Sequence, residues 1–385
     1  MADTPLRLCV EANVICATHQ SGVGHAAQGL ITALVRDTEA QQHVHVVLIV
    51  PLRGAARLQR VGLGSVSRLT IPLPLRGYER WAAVPVLPPL DVLFGRGTYL
   101  FTNYGNWPLL RSRSLTIIHD VAFLRHPATV EERTGARLRH NARRWAHRTS
   151  MVLVPSEFSR TELSACLDLD PARIAVMPLG VDTTIFFPRR ADEVHATLRR
   201  LGLSPGYVLY FGNIEPRKNL ARLVRAYGAV DRELQQQHPL VLAGSTSWRA
   251  EEIEREIANA QSRGYRVERL PGRISDTDLP ALLSGAAMLA HPSLYEGFGL
   301  VPLQAMACAT PVLVSNRAAM PEVAGGAGLY VDPLQEDDIT RGIETLLTDA
   351  GLRASLSAAG RLRASTFTWQ RTATSFLDAV RTLNT

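Results

Sequence analysis

The chain has 385 residues, 46% of them hydrophobic and 20% charged, which is the composition of a soluble globular protein with more than one hydrophobic core. No apolar run reaches 18 residues and residues 1–10 are too short and polar for a secretory signal, so neither a membrane-spanning helix nor secretion is expected and the cytoplasm is the expected compartment. The formal net charge is +7, and the spacing of the four cysteines argues against disulfides and a zinc site.

Short apolar runs alternate with amphipathic stretches along the whole chain. In the first half the pattern predicts strands at residues 6–15, 44–50, 115–118 and 151–154, with a glycine-containing turn at 21–24 and a helix at 25–35. In the second half it predicts strands at 207–211, 240–243, 288–291 and 329–331, with helices at 220–227 and 250–263. Strands separated by helices indicate parallel sheets covered on both faces.

A proline-containing segment at residues 186–190 separates the two series. We therefore expect an α/β protein with two Rossmann-like domains, over residues 1–187 and 188–366, and a C-terminal helix within 367–385 that crosses back to the first domain. Ligands of such sheets bind beyond the carboxyl ends of the strands, and two facing domains would hold them in a central cleft.

Lysine is almost absent: of 42 Lys+Arg residues, Lys218 is the one lysine. It follows Arg217 in the stretch GNIEPRKN, so a compact ammonium stands beside a planar guanidinium. This pair suits a polyphosphate, which an arginine binds in a bidentate way and a lysine binds as a point charge. The alternative is a solvated basic dipeptide in a turn.

The most specific pattern is HPSLYEGFGLVPLQAMACATPV, which begins at His291. Gly297 and Gly299 form a tight turn before a helix expected at 301–308, and the N–H groups at the start of that helix favour an anion. Since a carboxylate does not suit a phosphate, we expect Glu296 to accept hydrogen bonds from neutral hydroxyl groups, such as those of a sugar.

These residues resemble the retaining glycosyltransferases of family 4, which have the GT-B fold, and the resemblance covers nearly the whole chain. The family signature is two glutamates with seven residues between them; Glu296 matches the first, whereas Gln304 occupies the second position. The resemblance implies that Glu296 contacts the donor sugar and Gln304 the nucleotide ribose, and that GNIEPRKN clamps the diphosphate. Catalytic roles are implied for His119, Arg217, Lys218 and Glu296. Donor binding is implied for Gly22, Gly24, Gly212, Arg273, Ile274, Gly297, Phe298, Gly299, Leu300 and Gln304.

The segment TIIHD, which ends at Asp120, resembles the family's histidine–aspartate motif, in the variant of bacterial mannosyl- and rhamnosyltransferases of surface polysaccharide synthesis. It implies a role for His119 at the reacting sugar, and places Asp120 and Ser156 on the acceptor side. The implied donor is GDP-mannose first and dTDP-rhamnose second. The implied acceptor is a hydroxyl of a glycan or lipid-linked oligosaccharide, with retention of anomeric configuration.

No metal or other cofactor is expected, because the two cations would hold the diphosphate. The D-x-D motifs at residues 168–170 and 276–278 are interpreted as structural, the second as the N-cap of a helix at 279–285.

Other functions stay open. The spacing Gly22-x-Gly24-x-x-Ala27 also fits a dinucleotide fingerprint, but no acidic residue follows the second strand, which disfavours a dehydrogenase. A sugar-nucleotide epimerase on the same fold is one alternative. A catalytically weak nucleotide-sugar-binding subunit is another, because of Gln304.

Six arginines recur at helical spacing between residues 133 and 148. Such a helix could rest on the anionic inner face of a membrane, or it could be a solvated face. No nucleic-acid-binding motif is present, so we expect no nucleic-acid partner.

Overall fold

The computed structural model describes residues 5–17, 21–52, 54–71, 88–105 and 107–384. The chain forms two compact units. The first contains residues 1–121, Ala136–Gly180 and Thr368–Thr385, and the second contains Ala122–Gly135 and Val181–Phe367. The segment Ala122–Gly135 thus groups with the second unit, although it lies early in the chain.

The first unit is built on a sheet of seven parallel strands within the described residues, in the order β3-β2-β1-β4-β5-β6-β7. The strands are β1 (Leu6–Glu11), β2 (Val44–Pro51), β3 (Arg68–Ile71), β4 (Thr98–Phe101), β5 (Arg113–Ile117), β6 (Met151–Val154) and β7 (Ile174–Val176). The second unit carries six described parallel strands in the order β10-β9-β8-β11-β12-β13. These are β8 (Val208–Phe211), β9 (Leu240–Ala243), β10 (Val267–Arg269), β11 (Met288–His291), β12 (Val312–Ser315) and β13 (Gly328–Val331).

Helices connect most of the strands, as parallel pairing requires. In the first half they are α1 (Gly22–Arg36), α2 (Thr38–His43), α3 (Ala55–Arg60), α4 (Leu90–Phe94), α5 (Ala122–Arg125), α6 (Glu132–Arg148) and α7 (Glu157–Leu167). In the second half they are α8 (Ala191–Arg200), α9 (Leu220–Gly228), α10 (Arg232–Gln237), α11 (Glu251–Ser262), α12 (Leu279–Gly285), α13 (Leu300–Ala307), α14 (Met320–Ala324), α15 (Glu336–Thr348), α16 (Ala350–Ser365) and α17 (Trp369–Asn384). Among the described residues, no helix combines the length and apolarity needed to cross a bilayer.

The strand orders fix where each sheet can bind a ligand. In the first sheet β1 lies between β2 and β4, and in the second β8 lies between β9 and β11. The connections leave the central strand in opposite directions at these points, and a crevice opens beyond the strand ends. The carboxyl ends of β1 and β4, and of β8 and β11, are therefore the places to examine for function.

The two units have separate hydrophobic cores. The first core packs α1 and the last helix, α17, against one face of the first sheet, with Phe376 of α17 fully buried in it. Thr372 of α17 donates a hydrogen bond to the carbonyl of Pro178, at 2.7 Å. The second core lies around β8 and β9 and includes Leu346 of α15. The expected α/β class, with two Rossmann-like parallel sheets, is confirmed.

Two local predictions were wrong. The first strand ends at Glu11 rather than at residue 15, because the amide groups of Ile15 and Cys16 turn back to the carbonyl of Ala12. The glycines 22 and 24 do not lie in a turn that precedes a helix; they form the first turn of α1, and Ser21 is its N-cap residue.

Candidate functional site

The second sheet's crevice begins where β8 and β9 end. The amide of Gly212 donates to the carbonyl of Ala243, at 3.0 Å, and Gly244, the residue that follows β9, lies against the backbone of Gly212. A Cβ on Gly244 would lie 1.9 Å from the carbonyl oxygen of Gly212, and Gly244 has a φ of +136°. Two glycines are thus needed to bring these strand ends together.

Beyond Gly212, the chain makes a short 3-10 turn at Pro216–Lys218, and Asn219 in the left-handed region (φ +62°) starts α9. The buried amide of Asn219 donates to two carbonyl groups, of Pro292 at 3.0 Å and of Pro333 at 2.7 Å. One side chain therefore ties the loops after β8, β11 and β13 together, and this fixes the position of the two cations that precede it.

Arg217 and Lys218 both contact Glu296. The guanidinium of Arg217 donates to Glu296 Oε2 at 3.0 Å and to the carbonyl of Tyr295 at 2.8 Å. Its other terminal nitrogen pairs with Glu215 at 2.8 Å, and Lys218 Nζ pairs with Glu296 Oε1. The carboxylate of Glu296 is only 10% exposed. The three residues singled out in sequence thus form one ion cluster around the buried carboxylate, and protein carboxylates occupy the arginine fork.

Two further donors reach the same carboxylate. His291, at the end of β11, places Nε2 at 3.0 Å from Glu296 Oε1, and Ser293 Oγ donates to that oxygen at 3.0 Å. Within the described residues, Glu296 therefore accepts from a serine hydroxyl and from charged partners; that it also accepts from sugar hydroxyl groups stays a prediction.

The environment keeps Glu296 ionised. Burial alone raises the pKa of its carboxyl group. The charges of Lys218 and Arg217, with the hydrogen bond from His291, outweigh burial, so the pKa of Glu296 lies well below its ordinary value. The site therefore holds a fixed negative charge between two fixed positive charges.

The helix start next to Glu296 is as expected from the glycines. Gly299 is the N-cap residue of α13 with a φ of +121°, and a Cβ there would lie 2.3 Å from Met320 Cε. The segment Gly297–Leu300 leads into the helix, whose first amide groups lack intrahelical partners. Phe298 packs edge-on against Phe367, with ring centroids 5.7 Å apart. Gln304, on the second turn of α13, is 9% exposed.

The predicted base-recognition segment lies elsewhere in the second unit, after β10. Ile274 is buried, whereas Arg273 is exposed and lies 3.7 Å from Asp276.

The aspartates of the D-x-D motifs make local contacts. Asp168 pairs with Arg143 at 2.9 Å, and Asp170 accepts from the amide of Ala172 at 2.9 Å. Asp278 precedes α12, but its side chain makes no cap hydrogen bond; it pairs with Arg200 at 2.6 Å instead. Asp278 is thus the N-cap residue of α12, as the sequence predicts, but a nearby cation takes its carboxylate and the cap lacks a side-chain hydrogen bond.

In the first unit, the corresponding crevice holds a chain of buried and half-buried polar groups. Thr102, just after β4, donates to the carbonyl and the carboxylate of Glu11, at 2.9 and 3.1 Å. The carbonyl of Thr102 lies 3.3 Å from His119 Nε2, and since a carbonyl only accepts, Nε2 carries the proton. Burial lowers the pKa of His119, so the ring is neutral at pH 7 and Nδ1 can accept. Asp120 accepts from the hydroxyl of Tyr104 at 3.1 Å.

The remaining predicted residues of this unit start helices. Ser156 is fully buried and caps α7, accepting from the amide of Ser159 at 3.0 Å. Gly22 and Gly24 lie at the start of α1, the first exposed and the second buried.

The arginine-rich stretch is α6. Its arginines at 133, 137, 139, 143, 144 and 148 are all exposed, while Leu138, Ala142 and Ala146 are buried on the opposite face. The helical spacing predicted from the sequence is confirmed.

Sequence reasoning missed Glu11, Glu215, Asn219, His291 and Ser293. Asn219 had a signal, since asparagine is among the residues that tolerate the left-handed region at helix ends. Glu215, His291 and Ser293 lay inside the two motifs that the sequence singled out, but nothing in those motifs distinguished their side chains as ligands of one ion cluster. Glu11 was visible only as a polar residue at a strand end, which has no specificity without the strand order.

Comparison with known families covers both units. Residues 21–185 match the family "Glycosyltransferase Family 4", and residues 199–363 match "Glycosyl transferases group 1".

Relatives in Escherichia coli are similar over much of the chain. The O-antigen chain mannosyltransferase B is 32% identical over 272 residues, which are 70% of this chain and 71% of that protein. The serotype-specific mannosyltransferase WbdA is 36% identical over 185 residues, which are 48% of this chain and 22% of that protein.

Solved structures share the fold. HepE from Anabaena, in complex with UDP and glucose, superposes with a TM-score of 0.74 over 98% of this chain and 100% of that one, at 16% identity. The sucrose-phosphate synthase from Thermosynechococcus elongatus gives a TM-score of 0.72 over 98% of this chain and 99% of that one, at 19% identity. Each half of the chain matches a glycosyltransferase family, and the O-antigen chain mannosyltransferase B is 32% identical and is covered over 71% of its length. The chain therefore belongs to glycosyltransferase family 4 and is a glycosyltransferase.

Proposed function

We propose that this glycosyltransferase moves mannose from GDP-mannose to a hydroxyl of a glycan or lipid-linked oligosaccharide in surface polysaccharide synthesis, with retention and without a metal ion. The observation that carries the sugar assignment is the 32% identity over 272 residues to the O-antigen chain mannosyltransferase B. dTDP-rhamnose is the second candidate for the donor, since the histidine–aspartate motif also resembles that of rhamnosyltransferases.

The cluster around Glu296 supports the proposed chemistry. As the bond between the anomeric carbon and the diphosphate breaks, negative charge grows on the leaving oxygen. Arg217, Lys218 and the amide groups at the start of α13 are suited to receive that charge. Glu296, ionised and fixed, holds the hydroxyl groups of the sugar.

Retention follows from attack on the face that the diphosphate leaves. The acceptor oxygen forms its bond to the anomeric carbon as the bond to the phosphate oxygen breaks, and the acceptor proton passes to that phosphate oxygen. The neutral His119 ring is suited to orient the reacting sugar through Nδ1. In this proposal the two cations provide the charge that a metal ion supplies in other glycosyltransferases.

The test is transfer from GDP-mannose to a polysaccharide acceptor by purified protein. Lys218→Ala and Glu296→Ala should each lower turnover by about 10- to 150-fold, because each removes a charge-assisted contact to the reacting groups, worth about 1.5–3 kcal/mol. The misplaced partner of the removed side chain should add to that loss. Folding is checked by circular dichroism. Near-wild-type turnover by either folded variant would refute the role of that residue, and product formed from donor alone would favour an epimerase.

We also propose that the exposed arginines of α6 bind the anionic headgroups of the membrane that carries a lipid-linked acceptor. Flotation with phosphatidylglycerol liposomes tests this. Exchange of Arg137, Arg144 and Arg148 for glutamine should release the protein, while the matched exchange of Arg199, Arg255 and Arg361, which are exposed elsewhere, should not. Equal flotation of both triple variants would contradict the proposal.

A further inference from the structure

The carboxylate of Glu296 receives its hydrogen bonds unevenly. Oε1 is the acceptor for three donors, namely Lys218 Nζ, His291 Nε2 and Ser293 Oγ, the last two at 3.0 Å. Within the described residues, Oε2 accepts only from Arg217, at 3.0 Å. Each carboxylate oxygen has about two lone-pair sites. Oε1 is therefore saturated, and Oε2 has room for one more donor.

We propose that Glu296 binds the sugar through Oε2 alone, and that His291 and Ser293 are positioning residues that occupy Oε1 and so fix which oxygen faces the ligand. This inference rests on the proposed function, because it names how the donor sugar is held. It adds two residues that neither the signature nor the resemblance assigned.

His291 is held in one orientation by its surroundings. It is 1% exposed, and its ring stacks on that of Tyr210, with centroids 5.8 Å apart and an angle of 7° between the planes. Among the described residues its Nδ1 has no hydrogen-bond partner. The proton must lie on Nε2, since a carboxylate only accepts. A second proton on Nδ1 would be buried without an acceptor, so the ring donates to Glu296 as a neutral group.

Ser293 is held by the loop that carries it. Its side chain is 1% exposed, and the amide of the next residue, Leu294, donates to the carbonyl of Arg217 at 3.0 Å. This bond ties the loop after β11 to the turn that bears the cations. The serine hydroxyl and the histidine ring therefore reach Oε1 from two points of one rigid loop, three and five residues before Glu296.

The first experiment compares the binding of GDP and GDP-mannose by calorimetry. His291→Asn and Ser293→Ala should each weaken GDP-mannose about 10- to 100-fold, the value of one hydrogen bond to a charged group, and change GDP by less than about threefold. His291→Gln, whose amide nitrogen can stand where Nε2 stood, should keep most of the affinity for GDP-mannose. His195→Asn, at an exposed histidine of α8, is the control for a histidine exchange as such.

The outcomes separate the possible failures. Equal losses for GDP and GDP-mannose would mean a merely structural role and would overturn the inference. Unchanged binding of GDP-mannose by both variants would overturn it too. If the wild type binds neither compound, the proposed function fails, and a ligand-free measurement then decides the inference.

That measurement is a double-mutant cycle on the unfolding constant of the free protein with His291→Asn and Ser293→Ala. Because both side chains donate to one oxygen, we expect the two effects to couple by more than about threefold. Additive effects, within about twofold, would overturn the shared role at Oε1. In a crystal structure with GDP-mannose, the nearest sugar hydroxyl should lie on Oε2, and a contact to Oε1 would also overturn the inference.

Discussion

At the scale of single residues, the charge of Glu296 dominates the site. It is buried with two cations, and removing one partner of such a cluster leaves the other charges without compensation. Glu215 shares Arg217, so that guanidinium keeps one carboxylate if Glu296 is lost. Lys218 has no second carboxylate within 4 Å among the described residues. The cost of neutralising Glu296 therefore falls mainly on the one lysine of the chain.

Glu296→Gln should lower the free energy of unfolding by about 3 kcal/mol at pH 7. The folded pKa of Glu296 lies well below the ordinary 4.5, so its stabilising contribution is complete above about pH 4.5 and is lost as the pH falls through the folded pKa. Urea unfolding of both proteins from pH 7 down to pH 4 should show a constant difference that shrinks below about pH 4.5. Glu252→Gln, at an exposed position of α11, is the control; a difference that grows toward low pH would contradict the assignment.

At the scale of elements, the start of α13 depends on a residue without a side chain. Gly299 lies in a region of backbone space that strongly disfavours other residues, and Met320 of α14 fills the space where a Cβ would be. Gly212 and Gly244 likewise let the backbones after β8 and β9 approach each other, because a Cβ on Gly244 would collide with Gly212. In both places the missing side chain brings backbone groups near the proposed binding site of the diphosphate.

Gly299→Ala should destabilise the protein by about 1–3 kcal/mol, from backbone strain together with the contact to Met320. Met320→Ala in the same chain should not restore the loss, since it removes the contact but leaves the backbone strain and empties space that the buried Met320 side chain fills. Gly326→Ala is the matched control, because a Cβ there meets nothing within 4 Å. Chemical denaturation measures all four proteins. Equal stability of the variants at 299 and 326 would show that the constraint at Gly299 is absent.

At the scale of the whole molecule, two separate cores carry the two sheets. The last helix, α17, belongs to the first core, although it follows the second unit in the chain. The first unit thus needs residues from both ends of the sequence. A chain cut after Phe367 would lose part of the first core and keep the second.

Phe376→Ala and Leu346→Ala form a matched pair, because both side chains are fully buried, one in each core. Each exchange should lower the free energy of unfolding of its own unit by about 2–5 kcal/mol. Hydrogen exchange followed by mass spectrometry should show faster exchange in β1 and β2 for the first variant, and in β8 and β9 for the second. Faster exchange of both sheets in either variant would contradict the separation of the cores.

Sequence alone predicted the α/β architecture and singled out Arg217, Lys218 and Glu296, three of the charged residues that meet in one cluster. Alternating apolar runs and amphipathic stretches are set by local periodicity, so strands such as β6, β9 and β11 and helices such as α9 were predicted within a residue or two. Gly297 and Gly299 predicted the turn before α13, because glycines favour tight turns whatever the rest of the fold. Local chemistry also marked Arg217 and Lys218 as a pair.

Only the tertiary structure decided what those residues contact. Parallel strands that neighbour one another are far apart in the chain, so the meeting of Lys218 with Glu296, 78 residues apart, depends on strand order rather than on spacing. The same holds for Asn219 with Pro333 and for the chain from Glu11 to His119. Periodicity fixes which segments are buried, but the long-range pairing of buried segments fixes which polar groups share a site.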